Sequence, residues 1–153
     1  MSTQLLVPDD LYYLIPHQVW ARVDAPGLAT VGITELGIQL SGEIFMCRPK
    51  RMGLKIEQGG TVAVVELSKA IVAVKSPVTG VVVEGNAALK SRPQLVHQDP
   101  YGAGWVARLQ LQDLSADMPQ LLQGEAARQA MAAHARENAD RIVPDMLNRR
   151  GHD

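Results

Sequence analysis

The chain has 153 residues, the length of one compact domain, and its 15 lysine and arginine residues are balanced by 16 aspartate and glutamate residues. The formal net charge of -1 argues against a nucleic-acid binder, which normally has a basic excess, and one Phe, two Trp and three Tyr are too few for base stacking. The single cysteine, Cys47, excludes an intrachain disulfide framework.

The first 111 residues predict a mainly β fold. Residues 1–30 are a mixed opening, and residues 31–111 hold most of the β-branched residues and most of the glycines. Short apolar runs bounded by Gly and Pro predict strands over residues 18–23, 29–33, 42–47, 61–66, 71–74, 80–84 and 105–111. Several strands at this spacing are typical of a sandwich or barrel.

Helices are predicted between some strands and in the tail. Residues 34–40 favour a short helix with Thr34 as its N-cap, and residues 86–95 favour another that Pro93 ends. From residue 113 the composition changes to Ala, Gln, Arg and Glu, which predicts a helix over residues 125–142 that Pro144 ends. We therefore expect a β domain over residues 1–112 and a helical extension over residues 113–153 that packs on or beside it.

The location of the protein is predicted from two features. No apolar run approaches the roughly 18 residues that a transmembrane helix needs. The opening has acidic Asp9 and Asp10 and no basic segment before an apolar core, so it does not resemble a secretory signal. We expect a cytoplasmic protein with no membrane partner.

Lys69 is the candidate site. Two apolar β runs, over residues 61–65 and 71–74, flank it, and both faces of these runs are apolar, as in strands inside a sandwich. Since burying a lysine charge is costly, the hairpin must hold Lys69 at its exposed tip. An amine on a flexible stem at a rigid turn suits covalent modification, whereas the plain alternative is a solvated turn lysine. Ser68 is interpreted as a turn residue rather than a nucleophile.

The spacing around Lys69 favours modification. Gly53 and Gly59 lie 16 and 10 residues before it, Glu66 lies three before and Gly80 lies 11 after. This arrangement resembles the lipoyl-attachment motif, and the absence of flanking methionines distinguishes it from the biotinyl version. The resemblance implies lipoic acid in amide linkage to Lys69. We expect Glu66 to aid recognition by the modifying enzyme and Gly80 to be a turn glycine that keeps the hairpin shape.

Longer segments resemble the glycine cleavage system H-protein family. These segments are residues 31–34 (VGIT) and residues 84–105, which include the block DPYGAGW at residues 99–105. His17 and Trp20 are similar to the His-x-Trp opening of the family, but here two residues rather than one separate them. The resemblance covers about residues 10–120. It implies a flattened β-barrel of two antiparallel sheets with short helices, and a non-catalytic protein whose lipoyl arm carries an intermediate between enzymes.

Two departures favour one branch of the family. The segment at residues 48–51 is RPKR, where H-proteins usually have acidic residues, and residues 10–13 are DLYY. Both are similar to the H-like lipoate-binding proteins of sulfur-oxidising prokaryotes. We therefore interpret Arg48, Lys50, Arg51 and Lys55 as a partner-docking patch, with an ordinary solvated loop as the alternative.

The resemblance implies several partners. A lipoate–protein ligase or lipoyl-assembly enzymes would install the arm, and a heterodisulfide-reductase-like complex would use it in sulfur oxidation. In the alternative function, the arm carries an aminomethyl group between the glycine-cleavage enzymes, with dihydrolipoyl dehydrogenase. An alternative of another class is an unmodified β-sandwich interaction module.

Other chemistry has little support in the sequence. The four histidines are scattered without metal-ligand spacing, so no metal site is expected. Cys47 is interpreted as a small strand residue, with a redox role toward the lipoyl dithiol as the less favoured alternative.

Overall fold

A computed structural model describes residues 5–142 and contains two antiparallel sheets. Strands β1, β2, β3, β9, β8 and β5 form the larger sheet in that order, and β4, β6 and β7 form the smaller one. The strand bounds are β1 Tyr12–Leu14, β2 Val19–Ala25, β3 Leu28–Ile33, β4 Met46–Pro49, β5 Lys55–Ile56, β6 Thr61–Glu66, β7 Ile71–Lys75, β8 Gly80–Gly85 and β9 Ala107–Leu111. The predicted mainly β fold of two antiparallel sheets is confirmed.

The helices are short except for the last. They are α1 Glu35–Ser41, α2 Ala88–Ser91, α3 Leu95–Gln98, α4 Leu114–Asp117 and α5 Gly124–Glu137, with single 3-10 turns at Ile15–His17, Met118–Gln120 and Ala139–Arg141. The Thr34 hydroxyl accepts a hydrogen bond from the Gly37 amide at 3.0 Å, which confirms the predicted N-cap. None of these helices is long and apolar enough to cross a membrane.

Several predicted boundaries are wrong for identifiable reasons. The strand expected over residues 42–47 forms at Met46–Pro49, because Gly42 instead ends α1 with an amide that bonds Ile38. The helix expected over residues 86–95 is two separate turns, α2 and α3, with Pro93 between them. Helix α5 ends at Glu137 and a 3-10 turn follows it, while Pro144 lies outside the described residues.

Two apolar clusters hold the fold together. The larger lies between the sheets and includes Val62, Val82 and Leu109, all of which are fully buried. The second joins Tyr13 and Trp20 of the large sheet to α5, where Ala127 and Met131 are buried. Helix α5 therefore shares a core with the strands, while the division into domains at residue 112 stays a prediction.

Candidate functional site

Lys69 lies at the tip of the hairpin that β6 and β7 form. Glu66 pairs with Ile71 at the end of the ladder, and the Leu67 amide donates to the Ala70 carbonyl at 2.8 Å. Ser68 and Lys69 are left as the two tip residues, and both are exposed. Both residues therefore lie in the turn where the sequence predicts them, while modification of Lys69 stays a prediction.

The base of this hairpin is anchored in the core. Strand β6 is the central strand of the small sheet, hydrogen-bonded on both sides, and its Val62, Ala63 and Val65 are at most 4% exposed. The tip therefore projects from a stiff support rather than from a long loop. Such a support restricts the position of the lysine Cα and leaves the side chain free to move.

The second strand of the hairpin differs from its prediction. Strand β7 is an edge strand, and Ile71 and Val72 are 71% and 44% exposed. Phe45, whose amide bonds the Glu66 carbonyl, is 49% exposed nearby. The expectation that both faces are buried is wrong for the part of β7 next to the tip, because an apolar run alone does not reveal how far a strand extends beyond the core.

Glu66 lies on the outer face of β6 and forms an ion pair. Its Oε2 is 3.2 Å from Nε of Arg48, which extends across from β4. The two side chains are 34% and 61% exposed, so the pair contributes at most about 1 kcal/mol to stability. Glu66 is thus held near the hairpin tip without being part of the core.

Gly80 has a different structural role from the predicted one. It is the first residue of β8 and pairs with Leu111, so the expectation of a turn glycine is wrong. A Cβ atom on Gly80 would lie 2.5 Å from the Gln110 carbonyl oxygen. The position needs glycine because β8 and β9 approach closely there. Gly53 and Gly59, by contrast, have positive φ angles of 89° and 83°.

The structure brings together three of the four residues of the predicted docking patch. Arg48, Lys50 and Arg51 line one groove of about 370 Å³ beside β4, whereas Lys55 lies on β5 and does not line it. Lys90 of α2 does line the groove. No sequence pattern indicates Lys90 as a groove residue, because only the fold places α2 against β4.

A smaller cleft lies on the opposite side of the small sheet. Its volume is about 110 Å³, and Val72, Ala73 and Val74 of β7 form one wall. His17, Gln18 and Gly37 lie on the other side, where the Thr34 hydroxyl donates to Oε1 of Gln18 at 2.5 Å. Sequence patterns missed this cleft, since its walls come from three separate segments.

Cys47 is in the interior of the small sheet. It is 4% exposed, and burial raises the pKa of its thiol to about 12. The thiol therefore stays protonated at neutral pH, which favours the structural interpretation of this residue over a redox role. Within residues 5–142, no group of three or more His, Cys, Asp or Glu side chains could hold a metal ion.

Comparisons with known proteins agree with this geometry. A family model described as glycine cleavage H-protein matches residues 11–134. The probable glycine cleavage system H protein 2 of Saccharolobus solfataricus is 39% identical over 127 residues, which cover 82% of this chain and 85% of the relative. The glycine cleavage system H protein of Halorhodospira halophila is 40% identical over 126 residues, which cover 82% of this chain and 95% of the relative.

A solved structure has the same architecture. The crystal structure of a glycine cleavage system H protein from Mycobacterium marinum superposes with a TM-score of 0.66 at 25% identity. The similarity covers 87% of this chain and 99% of that chain. The likeness therefore includes both sheets and is not confined to the hairpin.

Proposed function

The chain belongs to the glycine cleavage H-protein family, whose members are non-catalytic proteins that carry lipoate on a lysine, and we propose that Lys69 carries it here. The observation that supports this assignment is the position of Lys69 at the exposed tip of a hairpin with a buried base. The motif spacing around Lys69 supports it independently of the structure. Lys75 and Lys90 lack a glutamate three residues before them.

The surroundings of Lys69 fit a lipoyl group. Lys69 makes no ion pair with any residue in the described range 5–142, so converting its amine to an amide would break no existing interaction. The neighbouring exposed side chains, Ile71, Val72 and Phe45, are apolar. They are compatible with the hydrocarbon part of such an arm.

The protein supplies attachment, orientation and shelter. When bound, lipoate provides a disulfide that opens to two thiols and can take up a transferable group. The hairpin holds the attachment point away from the core, where partner enzymes can approach it. The cleft beside β7 borders the same hairpin and could exclude water from an extended side chain.

The assignment of Lys69 is tested by mass spectrometry. The chain is expressed together with a lipoate–protein ligase and lipoic acid, and its intact mass and peptide map are measured. We expect one lipoyl group, located on Lys69, and none on the Lys69→Arg variant. The Lys75→Arg variant is the matched control and should be modified fully. Lipoate on Lys75, or modification that persists in Lys69→Arg, contradicts the assignment.

The pathway has two candidates. The names of the relatives support glycine cleavage, in which the partners are the glycine-cleavage enzymes and dihydrolipoyl dehydrogenase. The second candidate is the sulfur-oxidation branch, with a heterodisulfide-reductase-like complex. It is favoured by the basic groove that Arg48, Lys50 and Arg51 line, and by the segment DLYY at residues 10–13. Glycine cleavage fits the relatives at least as well, so both are retained for the exchange experiment given in the Discussion.

A further inference from the structure

The groove beside β4 combines an apolar floor with a cationic rim. Met46, Pro49 and Met52 contribute apolar surface to its lining, and Met52 is 69% exposed. The rim carries the charged groups of Arg48, Lys50, Arg51 and Lys90. Of the described residues that line the groove, none is acidic.

The rim charges are largely unneutralised. Arg48 is paired with Glu66, but Lys50, Arg51 and Lys90 form no ion pair with any residue between 5 and 142. Four cations therefore surround one concavity on a chain whose net charge is -1. This local excess attracts carboxylates, and clustering of like charges disfavours a basic partner.

Backbone and amide hydrogen bonds fix the walls of the groove. The Lys50 amide donates to the Val62 carbonyl at 2.9 Å, and the Gly53 amide donates to the Val82 carbonyl at 2.7 Å. On the other wall, Nδ2 of Asn86 donates to the carbonyls of Ala103 and Trp105 at 2.9 and 2.7 Å. One wall is thus held by the sheets and the other by the loop before β9, so an occupant would not have to order them first.

We propose that this groove docks an acidic segment of a partner protein, with an apolar side chain on the floor and carboxylates at Lys50, Arg51 and Lys90. The combination of an apolar floor with a charged rim is typical of protein interfaces. A nucleic acid fits less well, because none of the residues lining the groove is aromatic and the chain has no net positive charge.

The groove lies near Lys69. The identity of the protein that docks in the groove rests on the proposed carrier function. Arg48 joins the rim of the groove to Glu66, and Glu66 lies three residues before Lys69. Since three residues span at most about 10 Å even when fully extended, the two backbone positions lie within that distance. A protein held in the groove would therefore have the hairpin tip at its border.

The test measures binding of a synthetic peptide in which glutamates flank one leucine. The peptide is titrated into the full chain without lipoate, and affinity is followed by fluorescence anisotropy and backbone amide chemical shifts. We expect shifts concentrated at residues 46–52 and 85–90. Replacing the leucine by serine, or the glutamates by lysines, should weaken binding by about tenfold or more.

Charge-reversal variants locate the site. Lys50→Glu with Arg51→Glu should lower affinity by about tenfold or more. The matched control is Lys55→Glu with Arg136→Glu, which changes the net charge equally at exposed residues outside the groove and should change affinity by less than about twofold. Circular dichroism establishes that each variant is folded.

Three results overturn the proposal: equal weakening by both pairs of variants, shifts outside the groove, or an oligonucleotide of equal charge that binds the same residues as tightly as the peptide. Lipoylation of Lys69 is measured separately on the same protein. If a ligase lipoylates Lys69 but the lipoate-free chain does not bind the peptide, the docking groove alone is rejected. If the chain binds the peptide but the ligase leaves Lys69 unmodified, the carrier assignment alone is rejected.

Discussion

Glu66 combines an exposed carboxylate with a fixed position three residues from Lys69. We expect Glu66→Ala to slow the initial rate of lipoylation and to change the free energy of unfolding by less than about 1 kcal/mol, because the pair with Arg48 is exposed. Mass spectrometry and urea unfolding provide the two measurements. Glu84→Ala is the control, since Glu84 is 52% exposed and is paired with Arg108 in the same way. If both variants are modified at equal rates, or if Glu66→Ala unfolds the chain, the prediction that the modifying enzyme recognises Glu66 is wrong.

Cys47 gives a prediction about pH. Burial raises the pKa of its thiol from 9.0 to about 12, so the folded state favours the neutral form. The stabilisation from this difference is present below pH 9 and is lost as the pH rises towards 12. At pH 8 we expect iodoacetamide to label Cys47 only in urea, as measured by intact mass. Rapid labelling of the folded chain would restore the redox interpretation.

At the scale of secondary structure, substitution of Gly80 tests whether this residue serves recognition by the modifying enzyme or the packing of β8 against β9. In Gly80→Ala the new methyl group would meet the Gln110 carbonyl, so we expect a loss of about 1–3 kcal/mol in the free energy of unfolding. The folded fraction of this variant should accept lipoate at the normal rate, because the hairpin of β6 and β7 does not include this position. Slower lipoylation with unchanged stability would instead mean that the modifying enzyme contacts Gly80 directly.

The elements that the sequence predicts well are those with long local patterns. Strand β6 matches its prediction at both ends because a continuous apolar run lies between Thr61 and the charged Glu66. Strand β5 was missed, since two residues have no measurable periodicity. The 3-10 turn before Gln18 was missed as well. Gln18 follows this turn with a φ of 54°, a left-handed conformation that no local pattern indicates.

The candidate site likewise has one part that local sequence predicts and another that it does not. The position of Lys69 follows from local sequence, because two apolar runs around one lysine leave few alternatives to an exposed tip. The groove and the cleft cannot be predicted from local sequence, since each is formed by segments far apart in the chain. Lys90 illustrates this limit, because its place on the groove depends on the packing of α2 against β4.

For the whole molecule, the decisive measurement is exchange with labelled glycine. Lipoylated protein is offered to a glycine-cleavage decarboxylase and transferase, together with the Lys50→Glu, Arg51→Glu double variant. The glycine-cleavage candidate predicts efficient exchange. If that exchange is also unaffected by charge reversal, the sulfur-oxidation candidate is rejected. Lack of exchange with correctly lipoylated protein favours sulfur oxidation, and an authentic H-protein in parallel controls for the activity of the enzymes.

The order of strands in the small sheet has a consequence for the order in which a carried group could be sheltered and transferred. The groove borders β4 and the cleft borders β7. These two strands flank β6, which leads to Lys69, and lie two strand spacings or about 10 Å apart. A side chain extended from the hairpin tip can lie toward one edge or the other, but not toward both at once. With the proposed lipoyl group on Lys69 and the proposed partner at β4, a cargo that lies toward β7 would be kept from that partner. Shelter and transfer of the cargo would then have to occur one after the other.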